Sequence, residues 1–267
     1  MQIIPIKTRK IYPEDSLLEV FAEGLKKAQV KLQDGDIVAV VSKVVALTEG
    51  GLVNLGSTEG GSKKNLRSLV TKEADVIISP RSADFMLTMK NGILTPNSGI
   101  DQSNVPEGHA ILWPRDAYDS AEKMRVTFKK FFGSKQASLK KIGILIFDSC
   151  VMPLRNGVVG VALGYSGFYG VEDYRGKRDL CGKVLRVTQK NIADGLATAA
   201  TLVTGEGAES VPFVVIRGAP VKWVGRGSAD SRDIRENPGE IKRAPNDCLY
   251  RELYPAKLLN ASGGKSS

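Results

Sequence analysis

Asp34-Gly35-Asp36-Ile37-Val38-Ala39-Val40-Val41-Ser42-Lys43 is the stretch on which the fold turns. Asp34 to Asp36 is a turn signal, and Ile37 to Val41 is an unbroken apolar, mostly β-branched run, the pattern of a strand covered on both faces. A polar edge, Ser42-Lys43, closes it at once. Ile142-Gly143-Ile144-Leu145-Ile146-Phe147 repeats the pattern and ends as abruptly at Asp148-Ser149, and Pro212-Phe213-Val214-Val215-Ile216 is a further buried-type strand. Strand ends of this kind are where binding and catalytic groups are placed.

Working outward, Ile3 to Ile6 reads as an opening strand, followed by a loop through Tyr12-Pro13-Glu14-Asp15-Ser16. Asp15 or Ser16 is suited to cap a helix from Leu17 to about Lys27, whose apolar stripe is Leu17, Leu18, Phe21, Ala22 and Leu25. The Gly-, Ser-, Asn- and Lys-rich stretch Gly50 to Lys64 reads as loop, with helix from Leu66 to about Val70. Val76-Ile77-Ile78, Phe85-Met86-Leu87 and Ala110-Ile111-Leu112 are short strand candidates. Asp119 or Ser120 is placed to cap a basic helix, and a helix from Asn191 to Leu202 should stop at Gly205. Gly157 to Gly170 is Gly- and Val-rich, as closely packed backbone requires.

Composition narrows the class. The chain has 267 residues, 42% hydrophobic and 25% charged, enough to bury a substantial core. No apolar run approaches the roughly 20 residues that span a bilayer, and the first residues lack a basic segment followed by an apolar one, so membrane and secretory readings are set aside. Three cysteines without CxxC spacing indicate neither a disulfide framework nor a structural zinc site, and they suit a reducing, cytoplasmic setting. The net charge of +9 calls for a polyanionic partner, either nucleic acid or a phosphate-rich small molecule. Nucleic acid is the less favoured, because helix-turn-helix, RNP and zinc-finger signatures are missing and aromatics are only 6% of the residues.

Motifs for the commonest nucleotide folds fail. Gly264-Lys265-Ser266 resembles the end of a P-loop, but the required earlier glycine is Leu259; Gly205-Glu206-Gly207 needs a third glycine where Ser210 stands. His109 is the single histidine, so a Ser-His-Asp or Cys-His mechanism would rest on it alone. Asp101, in a polar loop, and Asp148 with Ser149, at a strand end, offer hard oxygen ligands for Mg²⁺ or Mn²⁺. Read without further context, an Asp at a strand end is more often a cap or turn former. Thr204 to Val211 has the glycines to present backbone amides to phosphate, and equally reads as a plain helix-terminal turn.

Taken together, Gly35-Asp36-Ile37-Val38, Asn97-Ser98-Gly99-Ile100-Asp101-Gln102-Ser103-Asn104-Val105, Asp148-Ser149, Asp173-Tyr174-Arg175-Gly176-Lys177-Arg178-Asp179-Leu180-Cys181-Gly182-Lys183, Gly205-Glu206-Gly207 and Val214-Val215-Ile216-Arg217-Gly218 form an ordered set. That set resembles the coenzyme F420-0:γ-glutamyl ligases, from the first strand to about Gly218. The resemblance implies an α+β fold with mixed sheets and packed helices, the family's own fold and neither Rossmann nor P-loop. It implies a homodimer that joins L-glutamate to a carboxylate of a deazaflavin, using GTP, or ATP in its place, and a divalent metal. Carried over by position, Asp101, Asp148 and Ser149 would hold Mg²⁺ or Mn²⁺. The loop Arg9, Lys10, Ile11 and Tyr12, then Ser42, Lys43 and Asn104, and the turn Thr204, Gly205, Glu206, Gly207, Ala208, Glu209, Ser210 and Val211 would contact the nucleotide. Lys43 and Arg155 would serve the chemistry, Lys43 by offsetting phosphate charge and Arg155 by orienting the acceptor. On this reading residues 1–218 form the catalytic region, 219–259 its C-terminal extension, and 260–267 a disordered tail.

Two departures bear on the acceptor. Relatives carry a Ser-Lys-Ala-Glu-Gly segment where this chain has Leu47-Thr48-Glu49-Gly50, so one nucleotide-side lysine is Leu47. After the metal Asp relatives carry a Gly-Arg pair, whereas Val151-Met152-Pro153-Leu154-Arg155 stands here. The latter variant is similar to a folate-type branch, which implies a pterin or deazaflavin acceptor, F420-0 or a reduced folate. The competing reading is a non-catalytic polyanion or RNA binder that kept the fold.

Overall fold

In a computed structural model the described residues are 1–56, 59–79, 85–135, 139–224 and 241–261. The chain divides into two compact units: Met1–Gly50 with Pro114–Ile241, and Gly51–Trp113 with Lys242–Ser267. The mixture of helices with several sheets is the α+β architecture expected.

The first unit is built on a five-stranded sheet of β1 (Gln2–Ile6), β2 (Asp36–Val41), β8 (Ile142–Val151), β9 (Val158–Ser166) and β12 (Phe213–Arg217), in the order β1-β12-β2-β8-β9. β2 and β8 run parallel, pairing Val41 with Phe147, and the other neighbours are antiparallel. Both faces are covered, as the continuous apolar runs require. Helix α5 (Ile192–Thr204) packs Ile192, Leu196 and Ala200 against Ile37, Leu145, Phe147 and Val214. On the alternate residues of the strands, Phe213 meets Phe21 of α1 (Leu17–Lys27), which stacks on Phe128 of α4 (Ala117–Lys135) at 5.3 Å between ring centroids. Burying aromatic rings of this size is the main source of core stability.

Glycines in β9 let the helices approach. A Cβ at Gly160 would run into the backbone of Ala197 in α5, and one at Gly164 into Ala117 in α4. Between them the register with β8 shifts, Ile146 pairing with Gly164 and Phe147 with Ala162. The Ala162 N–H donates to the Asp194 carboxylate of α5 at 2.8 Å, and burial pushes that carboxyl's pKa up.

Several local expectations hold: Ser16 caps α1 by accepting from Glu19 N–H, and α5 is capped by Asn191 and ends at Gly205. Others do not. The cap of α4 is Asp116, which accepts from the N–H groups of Tyr118 and Asp119, rather than Asp119 or Ser120. Directly after β2 the chain turns into a short helix, α2 (Ser42–Thr48), which the polar edge alone did not signal. The stretch expected as loop from Gly50 contains β3 (Leu52–Asn54) and the first turns of α3 (Glu59–Glu73). Two glycines, Gly60 and Gly61, depress helix propensity there, and packing of Val70 with Leu66 and Leu69 in the second unit's core outweighs it.

The second unit holds a three-stranded sheet, β4 (Val76–Ser79), β5 (Leu87–Lys90) and β6 (Ile93–Pro96), and the pair β3 with β7 (His109–Ile111). The short helix α6 (Ala256–Ala261) packs on β4 and reaches two residues into the stretch expected as tail. Residues 225–240 of the C-terminal extension, and 262–267 with the rejected Gly264-Lys265-Ser266 motif, lie outside the described residues.

Candidate functional site

Strand directions in the first unit bring four segments to one end of the sheet. β1 and β2 end there, β12 starts there, and β8 passes through it. Val41 N–H donates to Pro212 O at 3.0 Å, and Thr8 N–H donates to Ser210 O at 2.9 Å, so the loop after β1 and the turn before β12 are laced together. Ser42 and Lys43 follow β2, and Asp148 and Ser149 lie one and two residues beyond the position paired with Val41. The loop Arg9 to Tyr12, the Ser42-Lys43 pair, Asp148-Ser149 and the turn Thr204 to Val211 thus share one edge.

The turn is the most constrained of the four. Gly205 has φ +73° and Ser210 φ 58°, both left-handed, and a Cβ at Gly205 would run into the Glu209 side chain. Gly207 N–H donates to Glu209 Oε2 at 2.8 Å. Thr204 is buried and donates to Thr201 O at 3.2 Å, while Ala208 is exposed and Val211 half-buried. Glu206 reaches across to β8, where the Ser149 hydroxyl donates to its Oε2 at 3.1 Å. Ser149 N–H in turn donates to Asp148 Oδ1 at 2.8 Å. Glu206 is thereby a neighbour of the expected metal ligands, which sequence spacing did not show because 57 positions separate it from Ser149.

Ser42 is buried and Lys43 half-buried at the head of α2. Leu47 lies one turn further along the same helix. Arg9, expected beside the nucleotide, forms a fork on Asp15 at 2.6 and 2.7 Å. Asp15 also accepts from Tyr12 N–H at 2.7 Å, and the two contacts, the Arg9 one the larger, hold its carboxyl pKa down at about 2. Lys10 stands over the Tyr12 ring at 5.7 Å, and Ile11 is buried beneath the loop.

The hairpin that joins β8 to β9 carries the departures from the family pattern. Val151, Met152 and Leu154 are exposed, the last completely, and Leu154 takes φ 60°. Arg155 is exposed, and its N–H donates to Met152 O at 3.2 Å, closing the turn.

Asp101 and Asn104 belong to the second unit. Asp101 exchanges both backbone hydrogen bonds with Ile111, and its carboxylate accepts from the N–H and hydroxyl of Ser103 at 2.7 and 2.8 Å. Asn97, Ser98 and Asn104 all have positive φ. Gly99 is required where it stands, because a Cβ there would overlap the Trp113 indole. Strained backbone concentrated in one short segment is the mark of a shaped loop.

Two further signature segments meet far from this edge. Arg217, closing β12, grips the fully buried Asp36 that opens β2 with bonds of 3.0 and 2.8 Å, so Gly35-Asp36 and Arg217-Gly218 are a structural clasp. Asp173 to Lys183 lies in the ribbon between β10 (Val171–Asp173) and β11 (Gln189–Asn191), held by Arg175 on Asp173 and by Asp179 on the N–H groups of Cys181 and Lys183.

Among the described residues no helix is long and apolar enough to cross a membrane, and no three His, Cys, Asp or Glu side chains are grouped to hold a metal. The donor chemistry at the sheet edge, two carboxylates and a hydroxyl, is all hard oxygen, and it fits Mg²⁺ or Mn²⁺ rather than zinc.

Comparison with known proteins matches the same span. The chain is similar to the coenzyme F420:L-glutamate ligase of Methanopyrus kandleri, 34% identical over 80% of this chain and 85% of the relative. It is 34% identical to the protein of that name from Methanocaldococcus jannaschii over 78% and 84%, and 32% identical to that of Archaeoglobus fulgidus over 93% and 99%. The family model described as F420-0:Gamma-glutamyl ligase covers residues 5–218, from the start of the central sheet to the Asp36–Arg217 clasp, and the chain therefore belongs to that family and is a ligase.

Proposed function

We propose that the chain forms an amide between the amino group of L-glutamate and a carboxylate of a flat heteroaromatic cofactor, driven by a nucleoside triphosphate, GTP first, in a cytoplasmic homodimer. The observation that carries the reading is the Ser149–Glu206 bond, which draws Asp148, Ser149 and the Thr204–Val211 turn to the end of the sheet where Ser42 and Lys43 stand.

The chemistry divides into two displacements. An acceptor carboxylate oxygen attacks the terminal phosphorus, the bond to the bridging oxygen breaks, and a nucleoside diphosphate leaves an acyl phosphate. The neutral amine of glutamate then attacks the acyl carbon, the carbon–oxygen bond breaks, phosphate departs, and the amine's proton passes to solvent. Neither step needs a protein nucleophile, which suits a chain with one histidine.

Lys43 would place a point charge on the phosphates, and the turn would offer backbone N–H groups to them. Asp148, Ser149 and Glu206 would hold Mg²⁺ or Mn²⁺. Such an ion, when bound, offsets the charge on the transferred phosphoryl group. Arg155 would orient the acceptor's carboxylate.

F420-0 is the acceptor that the family model's description supports. A second reading, a reduced folate, rests on the hairpin: exposed Val151, Met152 and Leu154 form an apolar shelf suited to a p-aminobenzoyl ring. Mass spectrometry of products after offering F420-0 and tetrahydrofolate monoglutamate, each with glutamate and GTP or ATP, tests acceptor, nucleotide and bond together. A product one glutamate heavier, formed only with metal, supports the reading. Salt-sensitive RNA binding without turnover would replace it with the binder.

A further inference from the structure

The apolar layer between α5 and the central sheet continues past the end of the helix. Phe147, Ser149 and Val151 alternate along β8 and therefore point to one face. Phe147 is buried in the core that α5 covers, and the Ser149 hydroxyl meets Glu206 just beyond that helix, so Val151 lies on the α5 face as well. Val158 is its direct partner on β9 and shares that face. Helix and strand advance in step here. Asp194 accepts from Ala162 N–H at 2.8 Å, and four residues on the Thr198 hydroxyl donates to Gly160 O at 2.9 Å. Four helical residues rise about 6 Å and two strand residues about 6.7 Å, so the next step sets Leu202 beside Val158.

Val151, Val158 and Leu202 are 48%, 41% and 82% exposed. Met152 and Leu154 prolong this strip along the hairpin. A contiguous apolar surface left in water, where the rest of its layer is buried, marks a binding surface. Position says what it binds. In an in-line phosphoryl transfer the donor and the acceptor approach from opposite sides of the phosphorus. From Ser149 and Glu206 the Thr204–Val211 turn leads toward β12, and Lys43 follows β2, whereas the strip leads toward β9. Glutamate and the phosphates are polar, so the reactant that fits an apolar surface on the β9 side is the flat ring system of the acceptor.

We propose that Leu202 is a specificity-determining residue, the α5 contact that with Val158 and Val151 receives the acceptor's ring system. The proposal rests on the ligase reading above and adds the acceptor's orientation: ring toward β9, carboxylate toward Ser149. Both F420-0 and a reduced folate carry a flat ring joined to a distant carboxylate, so the strip serves either one.

The test is steady-state kinetics of the full chain with F420-0 and with tetrahydrofolate monoglutamate, each with glutamate, GTP and Mg²⁺, for wild type, Leu202→Ser and Leu202→Met. Calorimetric titration of the preferred acceptor and light scattering accompany it. Leu202→Ser should raise the acceptor KM and weaken acceptor binding by about 10-fold or more, with the KM values for GTP and glutamate, the Tm and the oligomeric state as in wild type. Leu202→Met should restore the acceptor. Val158→Thr, at the neighbouring position, should raise the acceptor KM in the same selective way. An unchanged acceptor KM in Leu202→Ser, an equal rise in all three KM values, or a change of oligomeric state would overturn the role given to Leu202. Wild type that extends neither acceptor would instead overturn the ligase reading itself.

Discussion

The Ser149 hydroxyl and the Glu206 carboxylate meet at 3.1 Å across the end of β2, joining β8 to a turn that belongs to β12. Two strands that are not neighbours in the sheet are thereby tied at the level of Asp148. If this is where a hard cation and the transferred phosphoryl group sit, charge removal should cost turnover and not the fold. Asp148→Asn and Glu206→Gln should each lower kcat by roughly 100-fold or more, with Tm within a degree or two of wild type, and a metal-titration curve shifted to higher Mg²⁺. Unaltered metal dependence in both variants would remove these side chains from the site.

If Leu47 occupies the position of a second nucleotide-side lysine, as the family resemblance implies, Lys43 carries more of the charge on the phosphates. A charge-assisted contact is worth about 1.5–3 kcal/mol. Lys43→Ala should therefore weaken nucleotide binding by roughly 10-fold or more, and Leu47→Lys should strengthen it. Isothermal titration with a non-hydrolysable nucleotide reads both.

Arg217 and Asp36 are a pair of a different kind. Asp36 is fully buried, and the Arg217 guanidinium, its pKa raised mainly by that hydrogen bond, is the partner that neutralises it. Removing one member of a buried pair costs about 3 kcal/mol or more. At about 2–4 °C per kcal/mol for a chain of this size, Arg217→Ala should lower Tm by roughly 6–12 °C, while kcat per folded molecule stays close to wild type. A lost kcat with unchanged Tm would place Arg217 in the reaction.

The loop that carries Tyr12 should keep its order far into acid. Arg9 and the Tyr12 N–H lower the Asp15 pKa to about 2, so the stabilisation this carboxylate supplies is complete above the usual carboxylate range and is lost only as pH falls through about 2. An NMR titration of the Asp15 carboxyl carbon should show that midpoint, and Arg9→Ala should move it up toward the usual range. A wild-type midpoint in the usual range would contradict the fork.

The buried strands were readable because two covered faces demand unbroken apolar runs, and Ile37–Val41 and Ile142–Phe147 supply them. The helix ends at Ser16 and Gly205 were readable for the same local reason: cap chemistry is written within a few residues. What was not readable is what depends on distant residues. Asp116, rather than Asp119 or Ser120, caps α4 by accepting from the N–H groups of Tyr118 and Asp119, and α3 formed over glycines because Val70, Leu66 and Leu69 had a core to enter. In the candidate site, spacing and family pattern nominated the residues, and the topology explains why four of the segments share an edge. Neither spacing nor pattern signalled that Arg9 is spent on Asp15, or that Asp36 and Arg217 close on each other from opposite ends of the sequence.

The pairing of β1 with β12 has a consequence for how the molecule is made. Ile6 meets Phe213, and Phe213 meets Val40, so the first strand reaches the rest of the sheet only through the last. On the ribosome, β1 and β2 wait with exposed edges until Arg217 has been synthesised, and a sheet held by contacts of such long range forms slowly. Chaperone dependence during synthesis and a late, concerted gain of amide protection in β1, β2 and β12 on refolding follow from that one strand order, and a chain truncated before Phe213 should leave the N-terminal strand unprotected.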